Sequence, residues 1–367
     1  MQTEHPGKKL ESLLKANSMT RKELAARTSV SEKHISTLIS GERNITASFA
    51  RKLGYVFDGY DAKYWMHLQN DYDSAELEKK ERNNITDEEF AVLKHLDDVI
   101  RYLVNTDNSE DGIKPSDSPA DKVMKLRSLL KISDLTLMPK VSYNAAYRAQ
   151  LTSNIMVDPY VLFAWQSICE AETRDIKANT ALDVSMLKDR LNDIKALMFD
   201  RLADGLTKLQ KIMSECGIRF NVVRNFRGAP VQGFIKNITD EKSGQQLILC
   251  LTLRGARADT FWFTLFHEIA HVINGDYKAK FVDFDSENGE AETKADTFAR
   301  DFLIPPQEYM SFIREHSSVN WDDIEEFAQK IGVAPFIVLG RLQKDQIVDW
   351  SQFNGHVVRY KWLNPAF

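Results

Sequence analysis

Apolar positions in the N-terminal part of the chain fall into two short helical runs. Leu24, Ala25, Val30, Ile35 and Leu38 recur at the spacing of buried helix faces, with Thr28-Ser29-Val30-Ser31 turning the chain between them. Thr20, with Glu23 three residues on, has the form of a capping box, and Ser31 caps the second run, which Gly41 stops. Further on, Phe90, Leu93, Leu96, Val99, Ile100 and Leu103 predict one connecting helix. Lys122 to about Met213 keeps a period near 3.6, as in Val123, Leu126, Leu129 and Leu130 and again in Leu187, Leu191, Ile194 and Leu197. After Gly217 the period moves toward two. Residues 218–222, 233–238 and 246–251 read as strands, the third well buried. The expected fold is mainly α with a small β-sheet.

Composition adds boundaries to this pattern. Ser74 to Asn84 is a charged run suited to a solvated helix or tether, and Asn105 to Ala120 gathers Asp, Asn, Ser, Gly112, Pro115 and Pro119 as a linker would. The expected divisions are 1–73, a helix-turn-helix bundle; 74–120, a helical connector and polar linker; 121–213, a helical region; and 214–367, an α+β domain. With 43% hydrophobic and 28% charged residues the chain has the composition of a water-soluble globular protein, and no apolar run approaches the roughly 18–20 residues of a spanning helix. The N-terminal residues lack a signal-peptide pattern, so cytoplasm is the expected location, with no membrane partner. Cys169, Cys216 and Cys250 are too far apart for a thiolate metal site or a disulfide framework.

Charge is distributed unevenly. Met1 to Gly54 holds ten cations and five anions, a net +5 within a chain of net −5, which leaves −10 for the remainder. A basic end on an acidic body suits a protein that places one module on a polyanion. On the second helix of the N-terminal pair, packing of the apolar residues leaves Glu32, Lys33, His34, Ser36 and Thr37 outward, where such residues meet base edges in the major groove of double-stranded DNA; Arg43 is placed to hold phosphate. The pattern Glu23-Leu24-Ala25, Val30-Ser31, Ile35-Ser36, Gly41-Glu42-Arg43 and Ile45-Thr46 resembles the Xre/Cro type of helix-turn-helix. Pro6-Gly7, Trp65 and Leu68-Gln69 resemble HigA-type antitoxins more narrowly. A homodimer on a two-half-site operator is expected on geometric grounds.

The richest chemistry lies at His267-Glu268-Ile269-Ala270-His271. Helical spacing puts the two histidines one turn apart on one face, able to direct two imidazole nitrogens at a single ion, with Glu268 beside them. A third ligand must come from elsewhere. Glu292-Thr293-Lys294-Ala295-Asp296 opens a further helix with carboxylates at i and i+4, so Glu292 is the preferred ligand and Asp296 an acceptor for the other ring nitrogen of a histidine. Glu287 and Glu290 compete with Glu292. One Zn²⁺ per chain is expected; it would lower the pKa of a water whose proton Glu268 takes, for attack on a peptide carbonyl. Arg254, Tyr277 and His316 are candidates to stabilise the oxyanion, and spacing does not choose among them. The buried strand at 246–251 is a candidate to bind an extended substrate by edge addition.

Residues 259–275, together with Glu292-x-x-Ala295-Asp296-x-Phe298-Ala299-x-x-Phe302-Leu303-Ile304-Pro305, resemble the ImmA/IrrE metallopeptidases over about residues 120–345. The resemblance implies a zincin-like α+β domain with His267, His271 and Glu292 as ligands and Glu268 as base. Lys294 departs from the acid more often found there. It further implies a DNA-binding transcriptional regulator with zinc-dependent endopeptidase activity, acting on a repressor, a toxin or itself in a toxin-antitoxin, mobile-element or stress-response circuit. The alternative is a non-catalytic HigA-like antitoxin and autorepressor whose metallo-domain binds a toxin or senses an effector. Trp321 to Leu342 repeats a helix, turn, helix outline, but its outward Asp322, Asp323, Glu325 and Glu326 disfavour phosphate, so packing on the peptidase core is expected.

Overall fold

The computed structural model describes residues 4–106, 109, 111–141, 145–149, 157–178, 180–278, 289–316 and 318–361. The chain forms two compact units, Met1–Asp87 and Glu88–Phe367. In the first, α1 (Pro6–Ala16), α2 (Arg21–Thr28), α3 (Glu32–Ile39), α4 (Ala47–Val56) and α5 (Ala62–Asn83) enclose a core in which Leu10, Leu24, Ile35, Leu38, Leu53 and Trp65 are fully buried. The hydroxyls of Thr20 and Ser31 accept the amides of Glu23 and His34, capping α2 and α3. The Glu23 carboxylate, expected to return to the Thr20 amide, instead takes Arg27 Nη2 at 2.7 Å, the i, i+4 partner that helix geometry offers. Gln69 reaches from α5 to accept the Ile45 amide at 2.8 Å, satisfying a buried backbone donor on the loop after α3.

The second unit is built on a four-stranded sheet of β1 (Ala145–Ala149), β2 (Ile218–Val222), β3 (Val231–Asp240) and β4 (Gly244–Leu251) in the order β1-β3-β4-β2. Pairing of β2 with β4 is parallel and the other two pairings are antiparallel. Helices α6 (Asp87–His95), α7 (Asp97–Thr106), α8 (Pro119–Leu130), α9 (Pro159–Glu172), α10 (Val184–Asp189), α11 (Leu191–Ala196) and α12 (Leu202–Glu215) precede or interrupt the strands. After β4 come α13 (Ala258–Asn274), α14 (Gly289–Leu303), α15 (Pro306–Glu315), α16 (Trp321–Ile331) and α17 (Pro335–Lys344). Strand alternation sends Leu247, Leu249 and Leu251 into the core shared with α13, while Cys250 turns toward Cys169 of α9 and Phe234 meets Trp165 at 5.8 Å. Helices therefore cover both faces, which is why β4 reads as a continuous apolar run. Phe266, Ile269, Ala299, Leu303, Ile337 and Val338 join α13, α14 and α17 in the same core, each large side chain worth about 1.5–3 kcal/mol of burial.

Four expectations change here. The helix over 90–103 is two helices, because Leu96 turns into the core and Asp97 and Asp98 open a new first turn that favours acids. The stretch 122–213 contains an edge strand, β1, besides its helices. The compact units divide between Asp87 and Glu88 and not within 105–120; there Ile113 is buried, and Lys125 Nζ donates to the Gly112 carbonyl and to Asp117, both at 2.8 Å. Finally, β4 lies between β3 and β2, so its backbone is paired on both sides and cannot take up a substrate strand. As expected, α16 and α17 pack on the core, through Ile324, Phe327, Ile337 and Val338.

Candidate functional site

The centre of the second unit is α13, buried around most of its circumference between the sheet and α14. Its C-terminus is Gly275, whose φ of +82° is a conformation glycine adopts without strain; the Gly275 amide bonds to the His271 carbonyl. The Nε2 atoms of His267 and His271 lie 3.0 Å apart, and α14 brings Glu292 across from them, Oε2 at 3.1 Å from His267 Nε2 and Oε1 at 3.3 Å from His271 Nε2. Three ligand atoms, one from each residue, lie within 4.8 Å of one another. Tetrahedral zinc with bonds of about 2.0–2.1 Å requires ligand–ligand edges of about 3.3 Å, so two imidazoles and a carboxylate at this spacing fit such an ion.

Each histidine also has its other ring nitrogen engaged. His267 Nδ1 meets Asp296 Oδ1 at 2.7 Å, and His271 Nδ1 meets Asp276 Oδ2 at 2.9 Å. Both contacts fix ring orientation and direct Nε2 toward the shared point. Asp296 stands where the i+4 spacing from Glu292 predicts. Sequence pattern does not single out Asp276; its signal there is an acid directly after the glycine stop, in a short 3₁₀ turn, Asp276–Lys278. Burial would push the His271 imidazole down, but bonds to Glu292 and Asp276, with the Glu268 charge, raise it to about 9. Burial likewise works against the Glu292 carboxylate, yet its bonds to His267 and His271 hold it well below the usual carboxylate range. In the metal-free protein these groups form a charge-assisted cluster that an incoming cation must displace.

Glu268 is buried and rests against β3 at Gly233, where a Cβ would come within 2.1 Å of Glu268 Oε1. The competing ligand Glu290 is directed elsewhere: its side chain is 82% exposed against 43% for Glu292, and it pairs with Lys294 at 2.7 Å. Glu287 lies outside the described residues. Of the oxyanion candidates, Arg254 donates to the Pro230 carbonyl, and His316 is held by the Phe312 carbonyl and Asp323. Tyr277 sits on the turn that carries Asp276.

In the first unit, Glu32, Lys33 and Arg43 are exposed. His34, Ser36 and Thr37 are half-buried: the His34 ring packs edge-on to Phe49 at 5.2 Å, and the Thr37 hydroxyl donates to the His34 carbonyl. The Arg43 amide bonds to the Thr37 carbonyl at 3.1 Å, which ties the loop to the end of α3. Among the described residues no helix is long and apolar enough to cross a membrane.

Comparison with known proteins divides along the same lines. Residues 10–58 match the helix-turn-helix family model, and residues 239–343 match that of the IrrE N-terminal-like domain, a peptidase family. A virulence-associated protein A' of Dichelobacter nodosus is 33% identical over 73 residues, 20% of this chain and 64% of that protein; the chain thus spans just under two thirds of the curated relative it matches. A solved addiction module antidote protein of the HigA family from Coxiella burnetii is 31% identical, covering 23% of this chain and 92% of that one, with a TM-score of 0.22.

Proposed function

We propose that this chain, which joins a helix-turn-helix domain to an IrrE N-terminal-like peptidase domain, is a DNA-binding regulator that cleaves a protein partner with one zinc ion held by His267, His271 and Glu292. The observation that carries the reading is the convergence of His267 Nε2, His271 Nε2 and the Glu292 carboxylate at edges of 3.0–3.3 Å, with Glu268 on the same helix turn. A bound zinc ion supplies Lewis acidity, lowering the pKa of a water and polarising a carbonyl. Glu268 takes the proton from the attacking water and passes it to the leaving amine, while Asp296 and Asp276 keep the two imidazoles in register. Fixed geometry of this kind spares the reorganisation that a solvent-exposed carboxylate would need.

At the other end of the chain, the exposed Lys33 and Arg43 meet double-stranded DNA, with a homodimer spanning two half-sites. Substrates of matching logic are a repressor, a toxin or a second copy of the chain. The test is incubation of the zinc-loaded chain, and of Glu268→Gln, with the purified products of adjoining genes. Wild type is expected to cleave one of them or itself, and Glu268→Gln to retain zinc without cleaving. No cleavage of any partner, nor of itself, by wild type would overturn the enzymatic reading and leave an antitoxin or autorepressor, for which Glu268→Gln changes nothing.

A further inference from the structure

A groove of about 510 Å³ runs between α13, α14 and α17. At one end its wall holds Gln232, Phe263 and Asp296, and each adjoins the candidate centre. Asp296 bonds to His267, the Phe263 ring lies 6.4 Å from the His267 ring, and Gln232 precedes the glycine against which Glu268 rests. The groove therefore abuts the candidate centre through these three neighbours, while His267, Glu268, His271 and Glu292 themselves do not line it. Away from that end, Leu303, Ile304 and Ile337 give it an apolar floor.

The lining carries Arg300, Arg341 and Lys344 against Asp259, Asp296 and Asp345, so formal charges balance, but hydrogen bonding does not. Asp259 accepts Arg257 Nε and Nη2 at 2.9 and 3.0 Å, and Asp345 accepts Arg341 Nε at 2.6 Å and the Tyr309 hydroxyl at 2.8 Å. Arg300 turns Nε and Nη2 sideways to its neighbour Asp301. Among the described residues, Lys344 Nζ and Arg300 Nη1 make no hydrogen bond, although the charges of Asp345 and Asp296 also act on the Arg300 guanidinium. Asp259, Asp296 and Asp345 each have a hydrogen-bond partner within the protein, while Lys344 Nζ and Arg300 Nη1 keep donor capacity for a ligand.

We infer that this groove receives the substrate segment on one side of the scissile bond and selects an apolar side chain followed by carboxylates. Leu303, Ile304 and Ile337 take the apolar side chain, and Lys344 and Arg300 take the acids. The inference rests on the peptidase reading for the position of the scissile bond, but its test needs neither metal nor turnover.

The test is fluorescence anisotropy of labelled Ala-Leu-Glu-Glu-Leu-Ala on the full chain in the presence of a chelator. Two control peptides carry Lys in place of Glu and Ser in place of Leu. The acidic peptide is expected to bind roughly tenfold more tightly than the Lys peptide, and the Ser peptide to lose about tenfold or more. Lys344→Glu, at an exposed position, is expected to narrow the charge preference at an unchanged melting temperature, and Lys344→Glu with Arg300→Glu to reverse it. Absence of binding, equal binding of acidic and basic peptides, or a preference that survives the double reversal would each overturn the inference. Zinc-dependent cleavage by the wild-type chain is measured separately, so failure of the groove and failure of the peptidase reading are told apart.

Discussion

Gly233 offers the sharpest way to separate catalysis from metal binding. It sits within β3, paired with Leu251 of β4 and Arg148 of β1, and its backbone has no need of glycine's conformational freedom. What it supplies is room: a Cβ at this position would lie 2.1 Å from Oε1, 2.6 Å from Cδ and 2.8 Å from Cγ of Glu268. Ordinary contact begins near 3.4 Å, so Gly233→Ala displaces the carboxylate by more than about 1 Å. Because Glu268 is buried, the side chain has no solvent to swing into, and overpacking of this kind costs about 1–3 kcal/mol of stability. A displacement of about 1 Å in a reacting group lowers the rate by about 10²-fold. The three atoms nearest the new methyl all belong to Glu268 and none to His267, His271 or Glu292, so zinc is expected to stay at one per chain. The assay is single-turnover cleavage of the protein substrate beside zinc stoichiometry on the same preparation. Wild-type cleavage by Gly233→Ala would refute the placement of Glu268 as base, and loss of zinc along with activity would show that the glycine serves the fold of the site as a whole.

Three further outcomes follow from the same geometry. Asp276→Asn removes the carboxylate that orients His271 and is expected to weaken zinc binding by about 10–100-fold in a competition titration, with the fold retained by circular dichroism. His271 titrates at about 9 in the metal-free protein, above its ordinary 6.5, so its pairing contributes stability that is complete below 6.5 and is lost as pH rises through 9. Metal-free melting temperature should therefore fall across that window, while apparent zinc affinity rises by up to about tenfold per pH unit, since the ion displaces the His271 proton; a flat affinity from pH 6.5 to 9 would contradict this. Arg43→Ala is expected to weaken binding to operator and unrelated DNA alike and to reduce the salt dependence of log K by about one, whereas sequence-selective loss would place Arg43 on a base.

Local spacing carried most of what could be read in advance about the metal helix. Whether His267 and His271 share a face depends only on a helix period, and the apolar residues around them together with Gly275 made that period plain. The pairing of Asp296 with His267 likewise follows from an i+4 step on α14. Asp276 lies just past a helix stop, and only the path of the following turn brings it back to His271, a tertiary fact that no period encodes. For the same reason β1 is not legible in the sequence: its partner β3 is more than eighty residues away, and five residues embedded in a helical stretch present little alternation. Hydrophobicity showed that β4 is buried but not that it lies inside the sheet, because alternation reports faces and says nothing of edges. The close approach of Gly233 to Glu268 joins residues 35 positions apart, a tertiary contact that no local pattern encodes.

The central claim is that one divalent ion is held by two imidazoles from α13 and one carboxylate from α14. Metal analysis of the purified wild-type chain beside Glu292→Ala and Glu290→Ala tests it most directly. One zinc per chain is expected in wild type and in Glu290→Ala, whose carboxylate is turned to Lys294, with the metal lost from Glu292→Ala. Full zinc occupancy in Glu292→Ala, or loss of zinc from Glu290→Ala, would contradict the ligand set.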